Sequence, residues 1–195
     1  MPDVHIFHMV DESLIKNTVA AGALEKLTTR RLIGMVESAG LAGADAVLVT
    51  CSSIGEAVTT AAQLFDFPVL RVDEAMAEEA IERGHRIGVL ATLKTTLEPT
   101  ANLVRCKGNG KGVEIVDHLC EGAFAALMSG DAKAHDEIVR SALLNEMRGT
   151  DVVVLAQASM ARVLSTMEPD TLKMPVLSSP ELGVQRMAEV LRERA

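Results

Sequence analysis

Tryptophan and tyrosine are absent from this 195-residue chain, and phenylalanine occurs only four times. An aryl-binding pocket would have to be walled by aliphatic side chains alone, which disfavours an aromatic ligand. The ten methionines supply core volume that aromatics would otherwise give, so a methionine stripe reads as packing before it reads as a binding surface. Basic residues are outnumbered, 19 against 27 acidic ones, and the net charge of −8 disfavours a general affinity for nucleic acid or for an anionic membrane. No apolar run reaches the roughly 18 residues that span a bilayer, and the N-terminus lacks a basic-then-apolar leader, so the expected location is the cytoplasm.

Cysteine is also sparse. Cys51, Cys106 and Cys120 cannot all pair within the chain, and their spacing fits neither a CxxC redox pair nor a zinc knuckle. They read as free thiols. No HxH, HExxH or clustered Cys/His pattern supports a metal site. There is no GxGxxG, and Gly108, Gly110 and Gly112 lie in a basic turn with no strand before them; Gly110-Lys111 is followed by Gly112 rather than Ser or Thr, so no Walker loop exists either. The expectation is an activity without cofactor or metal.

What the chain has is alternation. With 48% hydrophobic and 24% charged residues it can bury a core, as one large α/β domain or as two small lobes. Apolar runs predict strands at Val4–Val10, Ala46–Val49, Pro68–Val72, Arg86–Ala91, Val113–Val116, Asp151–Leu155 and Pro175–Leu177. Asp11 to Ser13 reads as a polar loop. Helical patterns run over Thr28–Ala39, Ile54–Leu64, Asp73–Arg83, a stretch near Pro99–Val104, Leu119–Met128, Ala132–Met147 and Pro180–Arg192. Strand followed by helix, repeated, predicts parallel sheets with right-handed crossovers.

Two strand ends carry small polar residues into a helix start: Val49 to Ser53 and Leu155 to Ser159. Open α/β sheets collect ligands there. At the first, Cys51 stands where backbone N–H groups and a helix dipole lower a thiol pKa, which would make it a general base or nucleophile and the fastest of the three cysteines to alkylate. Equally, cysteine is a small hydrophobe common at buried strand ends. Ser52, Ser53, Thr92, Thr95, Thr96 and Ser159 offer hydroxyls and N–H groups for a carboxylate, and are also ordinary helix caps. His8, Asp11 and Ser13 follow the first strand and could line the same cleft. His85, His118 and His135 sit among charged neighbours and read as surface residues.

The quoted segments resemble the aspartate/glutamate/hydantoin racemase superfamily. Val49-Thr50-Cys51-Ser52-Ser53 looks like its first Cys-Asn-Thr segment, and Ile87 to Thr92 like its mid-chain strand. Leu155-Ala156-Gln157-Ala158-Ser159-Met160-Ala161 looks like the Leu-Gly-Cys-Ala-Gly-Met-Ala of hydantoin racemase-like members, and Pro175 to Leu177 like the closing segment. The resemblance implies two similar Rossmann-like α/β lobes with parallel sheets and an active-site cleft between them. Residues 1–84 with 176–195 form the first lobe in this reading, and residues 85–175 the second.

It also implies two cysteines working on opposite faces of a substrate. Cys51 takes the first position, but Gln157 stands at the second, and an amide is neither acid nor base near neutral pH. Three readings remain. The favoured one is a cofactor-independent isomerase, epimerase or racemase in which Cys51, alone or with a partner such as His8, moves a proton on a small hydroxy- or keto-acid, sugar acid or related carbonyl compound, with Gln157 as a catalytic residue that orients the substrate or stabilises its developing oxygen charge. The second is a decarboxylase of a malonate-like acid, as in arylmalonate decarboxylase, which resembles this arrangement in having a single catalytic cysteine, although at the other position. The third is a non-catalytic binder of small carboxylates. In each the partner is a small carboxylate or carbonyl compound, and a homo-oligomer is compatible with the sequence.

Overall fold

The computed structural model describes residues 4–168 and 171–194. The chain runs α1 (Glu12–Ala21), α2 (Lys26–Leu41), β1 (Val47–Val49), a 3-10 turn (Ser52–Ile54), α3 (Gly55–Ala61), β2 (Val69–Arg71), α4 (Glu74–Arg83), β3 (Arg86–Ala91), α5 (Lys94–Lys107) and β4 (Glu114–Leu119). It continues through α6 (Ala123–Met128), α7 (Ala132–Asn145), β5 (Val152–Leu155), α8 (Ala158–Ala161), a 3-10 turn (Leu164–Thr166), β6 (Val176–Ser178) and α9 (Ser179–Arg194). All strand pairs are parallel: β1 with β2 in one sheet, and β4-β3-β5-β6 in another. The α/β class with parallel sheets is as the sequence predicts, but the lobes are unequal, with two strands and four.

Strand alternation builds the larger lobe. Ile87, Val89 and Ala91 of β3 with Val152 and Val154 of β5 face the cluster formed by Met76, Ala77 and Ala80 of α4 and Leu97, Ala101 and Val104 of α5. Leu90, Val153 and Leu155 point to the other face, against Ala123 of α6, Val139 and Leu143 of α7 and Met160 of α8. Both faces are covered, which is why β5 reads as an unbroken apolar run. The smaller lobe packs Leu14, Leu32, Val36, Ala57 and Val58 around β1 and β2.

Several expectations change. Val4–Val10 is not a strand: among the described residues its backbone makes no backbone hydrogen bond, and Ile6 and Val10 are 69% and 82% exposed. An apolar alternating segment becomes a strand only where an edge pairs with it, and here none does. Asp11 to Ser13 is a helix start rather than a loop. The Asp11 carboxylate accepts from the Ser13 N–H at 3.0 Å as the cap of α1, and Gly22 ends that helix with φ of 71°. The helix expected around Pro99 begins earlier, at Lys94, and carries Pro99 inside it. His135 is fully buried rather than exposed: it lies on the inward stripe of α7 with Val139, Ala142 and Leu143, its Nδ1 2.8 Å from Asp136.

The lobe boundary moves as well. β6 hydrogen-bonds to β5, so residues 176–178 lie in the second sheet rather than in the first lobe. α4 packs on the same sheet, and α9 packs on α4. Residues 1–3, 169–170 and 195 of the expected division lie outside the described residues. Among the described residues no helix is long and apolar enough to cross a membrane.

Candidate active site

Between the lobes lies a cavity of about 500 Å³. The end of β1 and the following turn supply Thr50, Cys51, Ser52 and Ser53, while the end of β5 and the start of α8 supply Ala156, Gln157, Ala158 and Ser159. The two similar strand ends thus meet across one space, although more than 100 residues separate them. Thr96 of α5, Phe124 of α6 and Ser179 of α9 close the remaining sides, so one aromatic ring stands in the wall where the sequence led us to expect aliphatic side chains alone. α9 can come this near because Gly183 abuts Val72, where a Cβ would strike the Val72 backbone oxygen.

Among the described residues that line the cavity there is no Asp, Glu, Lys, Arg or His. Its polar groups are hydroxyls, one thiol, one carboxamide and backbone. An ammonium group would enter without a carboxylate to pair with it, at a cost of several kcal/mol of order for a desolvated ion. A carbonyl or carboxylate oxygen would meet donors.

Gln157 is oriented unambiguously. Its Oε1 accepts from the Thr92 backbone N–H at 2.6 Å and from the Thr92 hydroxyl at 3.0 Å. A backbone N–H only donates, so the atom facing it must be the amide oxygen. The Nε2 group donates to no protein acceptor among the described residues and is left for a ligand. Gln157 therefore offers hydrogen-bond donors to the cavity and has its acceptor already engaged.

Cys51 is half-buried at the cap of the Ser52–Ile54 turn. Burial pushes its thiol up from the ordinary value of 9.0, the N–H groups of Ser53 and Ile54 and the Ser53 hydroxyl pull it down, and the Asp73 carboxylate pushes it up. The net shift is upward, opposite to the sequence expectation. The helix that would have depressed it is one 3-10 turn followed by seven residues of α3, so the dipole is short while the loss of water is large. Burial alone drives Cys120 up to about 12.

The alkylation order changes accordingly. Site-resolved mass spectrometry of iodoacetamide adducts at mildly alkaline pH should show exposed Cys106 reacting first, Cys51 second and buried Cys120 last. Reaction of Cys51 ahead of Cys106 would mean that its thiolate is favoured by something outside the static geometry.

Not every expected residue comes to the cavity. Ser52, Ser53, Thr96 and Ser159 line it; Thr92 acts behind Gln157, and the Thr95 hydroxyl is buried with no partner among the described residues. His8 is exposed and outside the lining. Asp11 and Ser13 are also outside: the Asp11 carboxylate caps α1 and pairs with Arg31, which also donates to the Ser13 hydroxyl at 2.7 Å. Those side chains are used up by the helix start.

A pair the sequence reading overlooked lies beneath Cys51. Arg71 donates from Nε and Nη2 to the two Asp73 oxygens, each at 2.9 Å, and the two side chains are 8% and 0% exposed. The guanidinium lies against Gly55, where any Cβ would collide with it. The available signal was a lone Arg in the apolar strand Pro68–Val72 with an acid two residues on.

The sequence matches the family model described as Asp/Glu/Hydantoin racemase over residues 1–187. Among curated proteins none matches. The fold is similar to that of a glutamate racemase isoform from Bacillus anthracis, at 19% identity and a TM-score of 0.67, covering 86% of this chain and 65% of that one. It is similar to allantoin racemase from Klebsiella pneumoniae, at 19% identity and 0.65, covering 85% and 66%. An aspartate racemase from Picrophilus torridus aligns at 14% identity and 0.66, covering 92% and 77%. The chain spans just under two thirds of the length of the first two, and at these identities the likeness is one of fold.

Proposed function

We propose, from the premise that this chain belongs to the Asp/Glu/hydantoin racemase family, that it is a cofactor-independent isomerase in which Cys51 moves a proton at a carbon beside a carbonyl. The proposed substrate is a small hydroxy- or keto-acid, sugar acid or related carbonyl compound. The observation that carries this reading is the pairing, across one cavity without charged lining residues, of a single thiol with an amide that can only donate.

The steps follow from that pairing. Cys51 as thiolate removes the proton from the carbon bearing a hydroxyl; the electron pair moves to the adjacent carbonyl oxygen, where the Gln157 N–H groups stabilise the charge. The hydroxyl proton passes to that oxygen, the Cys51 thiol returns its proton to the original carbonyl carbon from the same side, and the carbonyl is left on the carbon that bore the hydroxyl, with Cys51 restored as thiolate. One acid/base group suffices for transfer along one face, whereas inversion at a single carbon calls for a second group on the opposite face, where Gln157 has no titratable proton. Substrates bearing an ammonium are disfavoured by the uncharged lining.

One observation favours a second reading. Because the Cys51 thiol is shifted upward, it rests protonated, the state in which it could quench the carbanion left by departing carbon dioxide. Turnover of a panel of hydroxy-carbonyl acids and malonates in deuterium oxide, followed by NMR, separates the two. Formation of an isomer supports isomerisation, with label at the reacting carbon where the Cys51 proton exchanges with solvent and without it where the same proton is returned, and carbon dioxide release with one solvent deuterium installed supports decarboxylation. Ligand binding with neither product from any member would sink both in favour of a binding protein.

Gln157→Ala should lower turnover about 10–100-fold, the value of one hydrogen bond to a developing charge. Gln157→Glu should lower it further, since one carboxylate oxygen would then face the enolate. Unchanged turnover in both variants, measured in the same NMR assay, would remove Gln157 from the mechanism.

A further inference from the structure

Ser53 and Thr96 come from different lobes, yet their hydroxyls lie 2.7 Å apart inside the protein, with the residues 4% and 3% exposed. Both line the cavity beside Cys51. Ser53 belongs to the turn that Cys51 caps, and Thr96 to the first turn of α5. A hydroxyl has one proton to donate and two lone pairs to receive with. If Thr96 donates to Ser53, the Ser53 proton is released to point elsewhere, and the Cys51 sulfur, whose ionised form the Ser53 hydroxyl favours, can receive it.

We propose that Thr96 is a positioning residue for Cys51, acting through a two-step hydrogen-bond chain in which Thr96 donates to Ser53 and Ser53 donates to the Cys51 sulfur when it is ionised. The chain crosses the interlobe boundary, so the readiness of the thiolate depends on the second lobe being seated against the first. The proposal builds on the reading of Cys51 as a base, and deepens it: the buried thiol, otherwise reluctant to ionise, has a donor held in reserve from the opposite lobe. Asp73, paired with Arg71, is the charged side chain acting on the sulfur, and no other element lining the cavity contributes a charged group among the described residues. Neither Asp73 nor Arg71 is altered by changing Thr96.

The test needs no substrate. The rate of iodoacetamide adduct formation at Cys51, resolved by mass spectrometry, is measured against pH for the whole protein, for Thr96→Val, Thr96→Ser and Ser53→Ala, and for the double variant Thr96→Val with Ser53→Ala, with Cys106 in the same samples as an internal control. Thr96→Val should move the Cys51 profile upward by about one pH unit, making adduct formation about tenfold slower on its rising limb. Thr96→Ser should keep the original profile, and Thr96→Val should add nothing once Ser53 is alanine. A Thr96→Val profile superimposable on the original overturns the proposal. Equal shifts in Thr96→Val and Thr96→Ser also overturn it, because packing rather than the hydroxyl would then be responsible. A shifted profile in a protein that turns over no substrate would retain the hydrogen-bond chain and reject the isomerase reading; an unshifted profile in an active isomerase would do the reverse.

Discussion

Cys51→Ala is expected to reduce turnover by about 10²–10⁴-fold, the usual contribution of a positioned acid/base group, with little change in melting temperature. The small stability cost follows from its half-buried position at the edge of the smaller core, where the removed atom faces the cavity as much as the protein. Cys106→Ala, by contrast, should leave turnover unchanged, since that residue is exposed at the far end of α5. The pH profile of the unaltered protein then says which role Cys51 has. Its folded-state thiol lies above 9.0, so a mechanism needing thiolate should gain rate as pH rises towards and past that value. One needing the thiol should run at full rate near neutral pH and lose it over the same alkaline interval. Retention of turnover by Cys51→Ala in the NMR assay would end both mechanisms.

The two strand ends that meet at the cavity were legible because their chemistry is local. A short apolar run, then Thr50 to Ser53 or Ala156 to Ser159, then a helix start, is a pattern of a few residues, and the parallel topology of the larger lobe brings its end to a predictable edge. The alternation in Ile87, Val89 and Ala91 against Leu90 likewise reads directly as a sheet covered on both faces. What failed depends on distant partners. Val4–Val10 has the composition of a strand, but pairing is decided by whether an edge lies alongside, and no window of seven residues contains that information. β6 looked like a return to the first lobe, whereas its register with β5 fixes it in the second sheet. The thiol shift was read with the wrong sign because helix position is visible in sequence while burial is not.

Arg71→Met should destabilise the protein by about 3–5 kcal/mol, the cost of stranding a buried charge whose partner has been removed. Asp73 is wholly buried and receives both of its strong hydrogen bonds from Arg71, so water cannot replace them without opening the core between α4 and the smaller sheet. For a chain of this size that loss corresponds to a fall in melting temperature of roughly 6–20 °C. The double variant Arg71→Met with Asp73→Leu should recover most of it, since replacing a whole buried pair by apolar groups is close to neutral. That pattern distinguishes an uncompensated charge from simple loss of packing, for which the second substitution would add to the damage. The pair also bears on the site. Asp73 pushes the Cys51 thiol upward, so removing its charge should move the thiol down, and in the double variant Cys51 should alkylate at lower pH than in the original protein. A double variant no more stable than Arg71→Met, with the Cys51 profile unmoved, would mean that the pair neither carries the predicted charge penalty nor acts on the thiol. Recovery of stability together with the downward shift would place Arg71 and Asp73 among the groups that set how readily the candidate base ionises, although neither lines the cavity.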